Sequence, residues 1–436
     1  MKRTLVLVPL ALAACAAAAY AFLNRSDPSP GTAPVLHGAP PSAALVARGA
    51  YLARAADCVA CHTAPGGKPF AGGLAFKLPF GTLYASNITP DRDTGIGAWS
   101  DDDFVRAMHD GIRKDGKRLY PAFPYTSYSQ LSRDDALAIK AYLFSLPATH
   151  QATPEPDLAF PFNQRWAMGF WNAAFFRSAR FAPAPDRSPE WNRGAYLATA
   201  LAHCAECHTP RNIGFALDHG KELGGAVVDG WLAPNITPDP VHGIGGWTDA
   251  QLYQYLRLGH TPGRGSAGGP MGEAVENSLQ YLDHEDTRAL IVYLRSIAPR
   301  TDGPAGGAGT GRATGSAAVG AAAYGPAADT PAQLRAGLRL FEGSCASCHQ
   351  WNGTGPQSEY AALAGARSVH DPSGRNIVQT LLHGAHLRIG TQDVFMPAFR
   401  TLSDAEIAQV SNYVIHQFGG RQGAVTAETV AAQRKQ

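Results

Sequence analysis

Apolar residues recur at helical spacing in three stretches of the chain. Ile139, Tyr142, Leu143 and Leu146 follow i, i+3, i+4, i+7, and so do Leu290, Tyr293, Leu294 and Ile297. Ile407, Val410 and Val414 mark a third stripe, with Tyr413 beside it. Ser132-x-x-Asp135 and Ser403-x-x-Glu406 read as capping boxes at the starts of two of these helices. Well upstream of each stripe lies a further helical pattern with a glycine inside it: Gly49, Gly194 and Gly337. A missing side chain lets two helices cross closely, so each pair is predicted to cross with the glycine against the tyrosine. A shorter helix is predicted from Asp102 to Ile112.

The first two stretches repeat one another. Arg48-Gly49-Ala50-Tyr51-Leu52-Ala53 recurs as Arg193-Gly194-Ala195-Tyr196-Leu197-Ala198, and Asn87-Ile88-Thr89-Pro90-Asp91 as Asn235-Ile236-Thr237-Pro238-Asp239. Gly95-Ile96-Gly97-Ala98-Trp99 recurs as Gly243-Ile244-Gly245-Gly246-Trp247. The third stretch is shorter and shares mainly the outer helices. This pattern divides the chain into domains at 44–150, 189–298 and 333–418, with a tail over 419–436. Residues 26–43 and 299–332 read as linkers rich in small residues, so the third domain is expected on a flexible tether while the first two pack together. The connector 151–188 is rich in aromatic residues from Phe160 to Phe181, which suits either packing between the first two domains or a docking surface.

Cysteine changes the picture most. Of 7 cysteines, six fall in Cys58-x-x-Cys61-His62, Cys204-x-x-Cys207-His208 and Cys345-x-x-Cys348-His349. Cys-x-x-Cys-His is the attachment signature of c-type haem: two thioethers to the porphyrin and the adjacent histidine as an axial iron ligand. A zinc ribbon does not need histidine after each second cysteine, and a redox Cys-x-x-Cys would occur once, near a βαβ pattern. The expected fold is therefore mainly α, three tandem class I cytochrome c-like domains with extensive loops, carrying three covalently bound haem c groups. Gly 47 and Pro 32 fit such loops, and a formal net charge of +2 offers nothing to nucleic acid.

Haem attachment of this kind takes place outside the cytoplasm, so the chain must be exported. Lys2 and Arg3 precede an apolar run of 20 residues, Thr4 to Leu23, long enough to span a bilayer. Residues 1–25 thus read as an uncleaved anchor or a signal, and Leu12-Ala13-Ala14-Cys15 allows lipidation at Cys15. The expected location is the periplasmic side of the bacterial inner membrane, with the protein anchored to it.

The whole set of motifs resembles the triheme cytochrome c subunit of bacterial membrane-bound periplasmic dehydrogenases, of the alcohol, aldehyde and gluconate type. The resemblance covers nearly all of residues 44–418 and includes Tyr120-Pro121-Ala122-Phe123-Pro124-Tyr125, Gly269-Pro270-Met271 and Met396-Pro397-Ala398-Phe399. It implies a separate catalytic dehydrogenase subunit with a molybdenum, flavin or quinone cofactor, and ubiquinone or a terminal oxidase as acceptor. A Phe at the centre of Pro-Ala-x-Pro-Tyr is similar to members paired with molybdenum hydroxylases, whose partners oxidise aldehydes or N-heterocycles.

Met271 and Met396 each lie between a haem motif and its closing helix, where a sixth iron ligand is presented, and a His/Met pair raises haem potential. The first domain breaks this pattern: Phe123 stands where family members often carry Met. Met108, Met168 and His109 are the remaining candidates there, with Met108 expected to pack on the haem and His109 to be solvated. No substrate chemistry is required of the chain itself. Two other readings are a stand-alone membrane-tethered carrier and a peroxidase-like enzyme using an open first haem.

Overall fold

The computed structural model describes residues 41–301 and 330–435. The apolar run 1–25 with Cys15, and nearly all of both linkers, lie outside these residues. Among the described residues no helix is long and apolar enough to cross a membrane.

Two compact units are formed. One comprises the described chain up to Pro183 together with Thr199–His203, and the other Ala184–Ala198 with Cys204 onward. Helices dominate in both, with small antiparallel hairpins between them.

The first unit is built on helix Ala43–Ala55 crossing helix Arg133–Ser145. A Cβ on Gly49 would run into the Ala138 carbonyl oxygen and lie 2.9 Å from Tyr142 Cβ, so only glycine allows this approach. Ile139 and Leu143 are buried in the crossing. Ser132 caps the closing helix by accepting from the Asp135 amide at 3.0 Å. The Asp135 carboxylate reaches Arg48 on the opening helix at 2.6 Å. Helix Asp101–Asp110 ends at Gly111, which takes a left-handed φ of 64°. Hairpin Ala75–Leu78 with Gly81–Tyr84 gains a short third strand, Asp157–Leu158, from the connector.

The connector folds back on this unit. Tyr125 donates to Asn172 Oδ1 at 2.6 Å, Phe176 meets the Tyr125 ring edge-on, and Phe162 stacks on Phe80 at 4.0 Å. Phe160, Trp166, Phe170 and Phe175 are exposed, while Trp171 and Phe181 are half-buried.

The second unit repeats the crossing twice. Helix Pro189–Tyr196 lies against His284–Ser296, where Gly194 meets the Ala289 carbonyl and Tyr293. Arg193 grips Asp286 with two bonds, at 2.7 and 2.6 Å, repeating Arg48 and Asp135. Helix Arg335–Ser344 lies against Asp404–Gly419, where Gly337 meets the Gln409 carbonyl and Tyr413. Ser403 with Glu406 forms the full capping box. The stretch read as a tail contains helix Ala427–Arg434, which buries Val430 in the third core and pairs Arg434 with Asp404 at 2.8 Å.

The expectation of a third domain on a tether is corrected. Residues 335–419 belong to the same compact unit as 204–298. Asn376 pairs with the Leu232 backbone through both amide atoms, at 2.8 and 3.0 Å. Tyr360 donates to the Leu258 carbonyl at 3.0 Å, and Gln280 to that of Arg388 at 2.9 Å. Backbone groups satisfied from the other segment, most of them part-buried, hold the two together, and linker composition carries no information about such contacts.

Candidate functional site

Each Cys-x-x-Cys-His motif begins near the C-terminal end of its opening helix. Short helical turns, Cys58–Cys61, Ala205–His208 and Ala346–His349, carry the second cysteine. None of the six motif cysteines is in a disulfide, and the first of each motif is half-buried. Burial pushes the Cys58 and Cys204 thiols up to about 12 and Cys345 up to about 11, so none is a ready thiolate.

The three histidines share one geometry. His62 Nδ1 lies 2.7 Å from the Ser86 carbonyl oxygen, His208 Nδ1 2.7 Å from that of Pro234, and His349 Nδ1 2.6 Å from that of Ala361. A carbonyl can only accept, so Nδ1 carries the proton and Nε2 keeps a free lone pair. Burial lowers all three histidine pKa values, that of His208 to about 4, which keeps the rings neutral. A glycine amide further along the chain also ties down each histidine carbonyl: Gly72 to His62, Gly225 to His208 and Gly355 to His349.

The repeated Asn-Ile-Thr-Pro-Asp segment explains how the first two acceptor carbonyls are fixed. Asn87 Oδ1 accepts from the Thr89 amide and hydroxyl at 2.9 and 2.7 Å, while its Nδ2 donates to the Thr149 carbonyl at 2.7 Å. Asn235 makes the same bonds to Thr237, at 2.8 and 2.7 Å, and to the Arg300 carbonyl at 2.7 Å. Ser86 and Pro234 immediately precede these asparagines, so each acceptor loop is stitched to the chain leaving the closing helix. The motif orients a histidine and does no chemistry itself.

Met396 ends strand Gln392–Met396 and packs half-buried against the third core, as does Cys345 of that motif. Met271 is half-buried at the second position of helix Pro270–Asn277, directly after Gly269, which has a φ of 52° and sits against the Trp231 ring. Met108 is buried on helix Asp101–Asp110 beside Phe104 and Val105. Phe123 packs on Tyr128, whose hydroxyl donates to the Ala56 carbonyl two residues before Cys58. Met168 is half-buried at the start of the connector helix. His109 is not solvated as expected: it is 4% exposed, its Nε2 has no partner, and burial lowers its pKa to about 4. Gly111 and the Tyr125 ring close the end of this helix, so residues on its outer side by periodicity are covered.

Helix crossings built on glycine, each with a neutral histidine held through Nδ1 behind a pair of cysteines, define haem-binding electron-transfer modules. The chain matches the Cytochrome c family over residues 46–147 and 334–417. It is 41% identical over 389 residues to a nicotinate dehydrogenase subunit of Pseudomonas putida, covering 86% of this chain and 30% of that protein's length. It is 38% identical over 398 residues to the fructose dehydrogenase cytochrome subunit of Gluconobacter japonicus, covering 88% and 82% of the two chains. It is 37% identical over 407 residues to the cytochrome c subunit of the quinone alcohol dehydrogenase of Gluconacetobacter polyoxogenes, covering 90% and 84%. The chain belongs to the family of cytochrome c subunits of dehydrogenases, and it is an electron-transfer subunit rather than a catalytic one.

Membership implies covalently bound haem c, and the residues fit it. The six motif cysteines are in no disulfide, the histidines are held through Nδ1 in the neutral form, and among the described residues no three His, Cys, Asp or Glu side chains converge as a site for a bare metal ion.

Proposed function

We propose that the chain carries three haem c groups and relays electrons from a catalytic dehydrogenase subunit to ubiquinone or a terminal oxidase. Cys58 and Cys61, Cys204 and Cys207, and Cys345 and Cys348 form the thioethers, with His62, His208 and His349 as axial ligands. The observation that carries this reading is the repetition of one histidine geometry at all three motifs. A single Cys-x-x-Cys-His could arise by chance, whereas three independent backbone carbonyls placed to fix the same tautomer serve a common ligand role.

Met271 and Met396 are the proposed sixth ligands of the second and third haems. The first haem has no methionine in the matching segment, because Phe123 occupies it. Bound haem supplies reversible one-electron chemistry. The chain's own residues fix ligand orientation, exclude water through the helix crossings and set the potential through axial ligands and nearby charge. The domains act at 44–150, 189–298 and 333–418, tethered to the periplasmic face of the inner membrane by residues 1–25. Phe123 together with the nicotinate dehydrogenase relative supports a partner that oxidises N-heterocycles or aldehydes.

Two measurements test this. Peptide mass spectrometry of the purified chain should find haem on each of the three motif peptides, and a motif recovered with free thiols would remove that site. Gentle detergent extraction through this chain should bring down a large dehydrogenase whose cofactor names the substrate class. Recovery of the chain alone, with reduction by several unrelated donors, would instead make it an independent carrier.

A further inference from the structure

Two guanidinium groups in the second unit lack a counter-charge. Arg264, in the turn between strands His260–Thr261 and Gly265–Ser266, donates to the Gly246 carbonyl and lies over the Trp247 ring at 5.3 Å. Its buried Nε has no partner. Arg367 comes from the third haem segment. Its amide donates to the Arg264 carbonyl at 3.0 Å, and its guanidinium to the carbonyls of Asn235, at 3.4 Å, and His242. Among the described residues neither arginine is ion-paired with any Asp or Glu. The acid whose field reaches Arg367 is Asp371, and its two oxygens are engaged by the Ser373 hydroxyl and amide at 2.7 and 2.9 Å. Tyr255, half-buried and edge-on to Trp247 at 5.3 Å, also feels the charge of Arg367. Burial lowers the Arg367 pKa to about 10 and lowers that of Arg264, the sign of cations held away from water. Two neighbouring half-buried cations with no paired anion among the described residues are costly, and a carboxylate ligand would offset that cost.

The position says which carboxylates. Arg367 binds the carbonyl of Asn235, the residue after Pro234, whose own carbonyl holds His208. The charge of Arg367 reaches the His208 ring. Haem carries two propionate carboxylates. We propose that Arg264 and Arg367 hold the propionates of the haem attached at Cys204 and Cys207, so that the third haem segment completes the second haem's site. This rests on the haem reading given above. The same interface carries the reverse contact: the Tyr360 ring lies tilted against His260 at 5.0 Å, its hydroxyl donates to the Leu258 carbonyl, and the carbonyl of its neighbour Ala361 holds His349. The loops that orient the second and third histidines are thus bound to each other's domains. A buried cation beside a haem favours the reduced state, which carries one positive charge fewer, so Arg367 raises the potential of the second haem.

Spectroelectrochemical titration of the full haem-loaded chain tests this. In Arg367→Gln the midpoint of one haem should fall by an amount equal to about a tenfold change in its reduction equilibrium, ~59 mV for a one-electron couple, with the others unmoved. Arg264→Gln should move the same wave, and Arg367→Lys should restore most of it because the charge is kept. That wave should be missing from a chain with Cys204→Ala and Cys207→Ala. Midpoints that stay put in both Gln variants at full haem content would overturn the proposal, as would an equal shift of every wave or a Lys variant as low as Gln. If Arg367→Gln does not take up haem, Arg264→Gln decides. Free thiols at Cys204 and Cys207 in the unaltered chain would instead refute the underlying haem reading.

Discussion

A backbone carbonyl at Nδ1 does two things for His62, His208 and His349: it fixes the tautomer and it aims Nε2. On the proposed ligand set, Met271→Ala and Met396→Ala should each convert one haem to a high-spin form, leaving the others unchanged. Electron paramagnetic resonance of the oxidised chain reads this directly, and an unchanged low-spin count would exclude that methionine. The acceptor loops depend on acids as well. Asp239 accepts from the His242 and Val241 amides at 2.5 and 3.0 Å, and these bonds hold its pKa below the usual carboxylate range. A depressed carboxylate stabilises the fold above its unfolded pKa, about 3.9, and that contribution disappears as pH falls through the lower folded value. Asp239→Asn should therefore flatten the loss of stability below about pH 4, measured by thermal melts across that range. At this scale the sequence was most informative, since cysteine spacing alone located every motif. It failed at His109, where helical periodicity suggested exposure but Asp101–Asp110 is covered on more than one side.

At the scale of the element, the glycine in each opening helix decides whether a crossing can form. A methyl group on Gly194 would meet the Ala289 carbonyl, and neither backbone can retreat without losing helical hydrogen bonds. Gly194→Ala should cost about 2 kcal/mol as an overpacked contact, despite alanine's better helix propensity. Arg193→Ala should cost about 2 kcal/mol by leaving the Asp286 carboxylate, 7% exposed, without its two charged bonds. Chemical denaturation of the haem-loaded chain checks both values. The closing stripes and the crossings were legible because burial on one helical face imposes a period. The hairpins were not anticipated, although one carried a strong signal. Asp229 and Gly230 have φ of 47° and 79°, the two left-handed residues of a tight turn, between Ala226–Val228 and Trp231–Ala233. Such three-residue strands are too short for a period-2 pattern to stand out.

Over the whole molecule, residues 204–298 and 335–419 belong to one compact unit. Asn376, Tyr360, Gln280 and Arg367 each satisfy a backbone group across the boundary between the two segments. Hydrogen exchange followed by mass spectrometry should therefore show the amides of Trp231–Ala233 and Arg375–His383 opening together. In Asn376→Ala both should lose protection together, with a cost of about 1 to 3 kcal/mol for the unpaired Leu232 backbone. Independent opening of the two segments would contradict a shared unit.

What the sequence determined by itself was local or periodic: the three Cys-x-x-Cys-His motifs, the helix pairs and the two-fold repetition of their loops. Those follow from chemistry and spacing carried within a few turns of chain. Only the tertiary structure decided which carbonyl holds each histidine, that Asp135 and Asp286 serve an arginine on another helix, and that Arg367 lies beside the loop of His208. The contacts of His208 and Arg367 join residues 26 and 132 positions apart. Their partners are selected by packing geometry and by the cost of burying an unmatched charge, and neither leaves a period in the sequence.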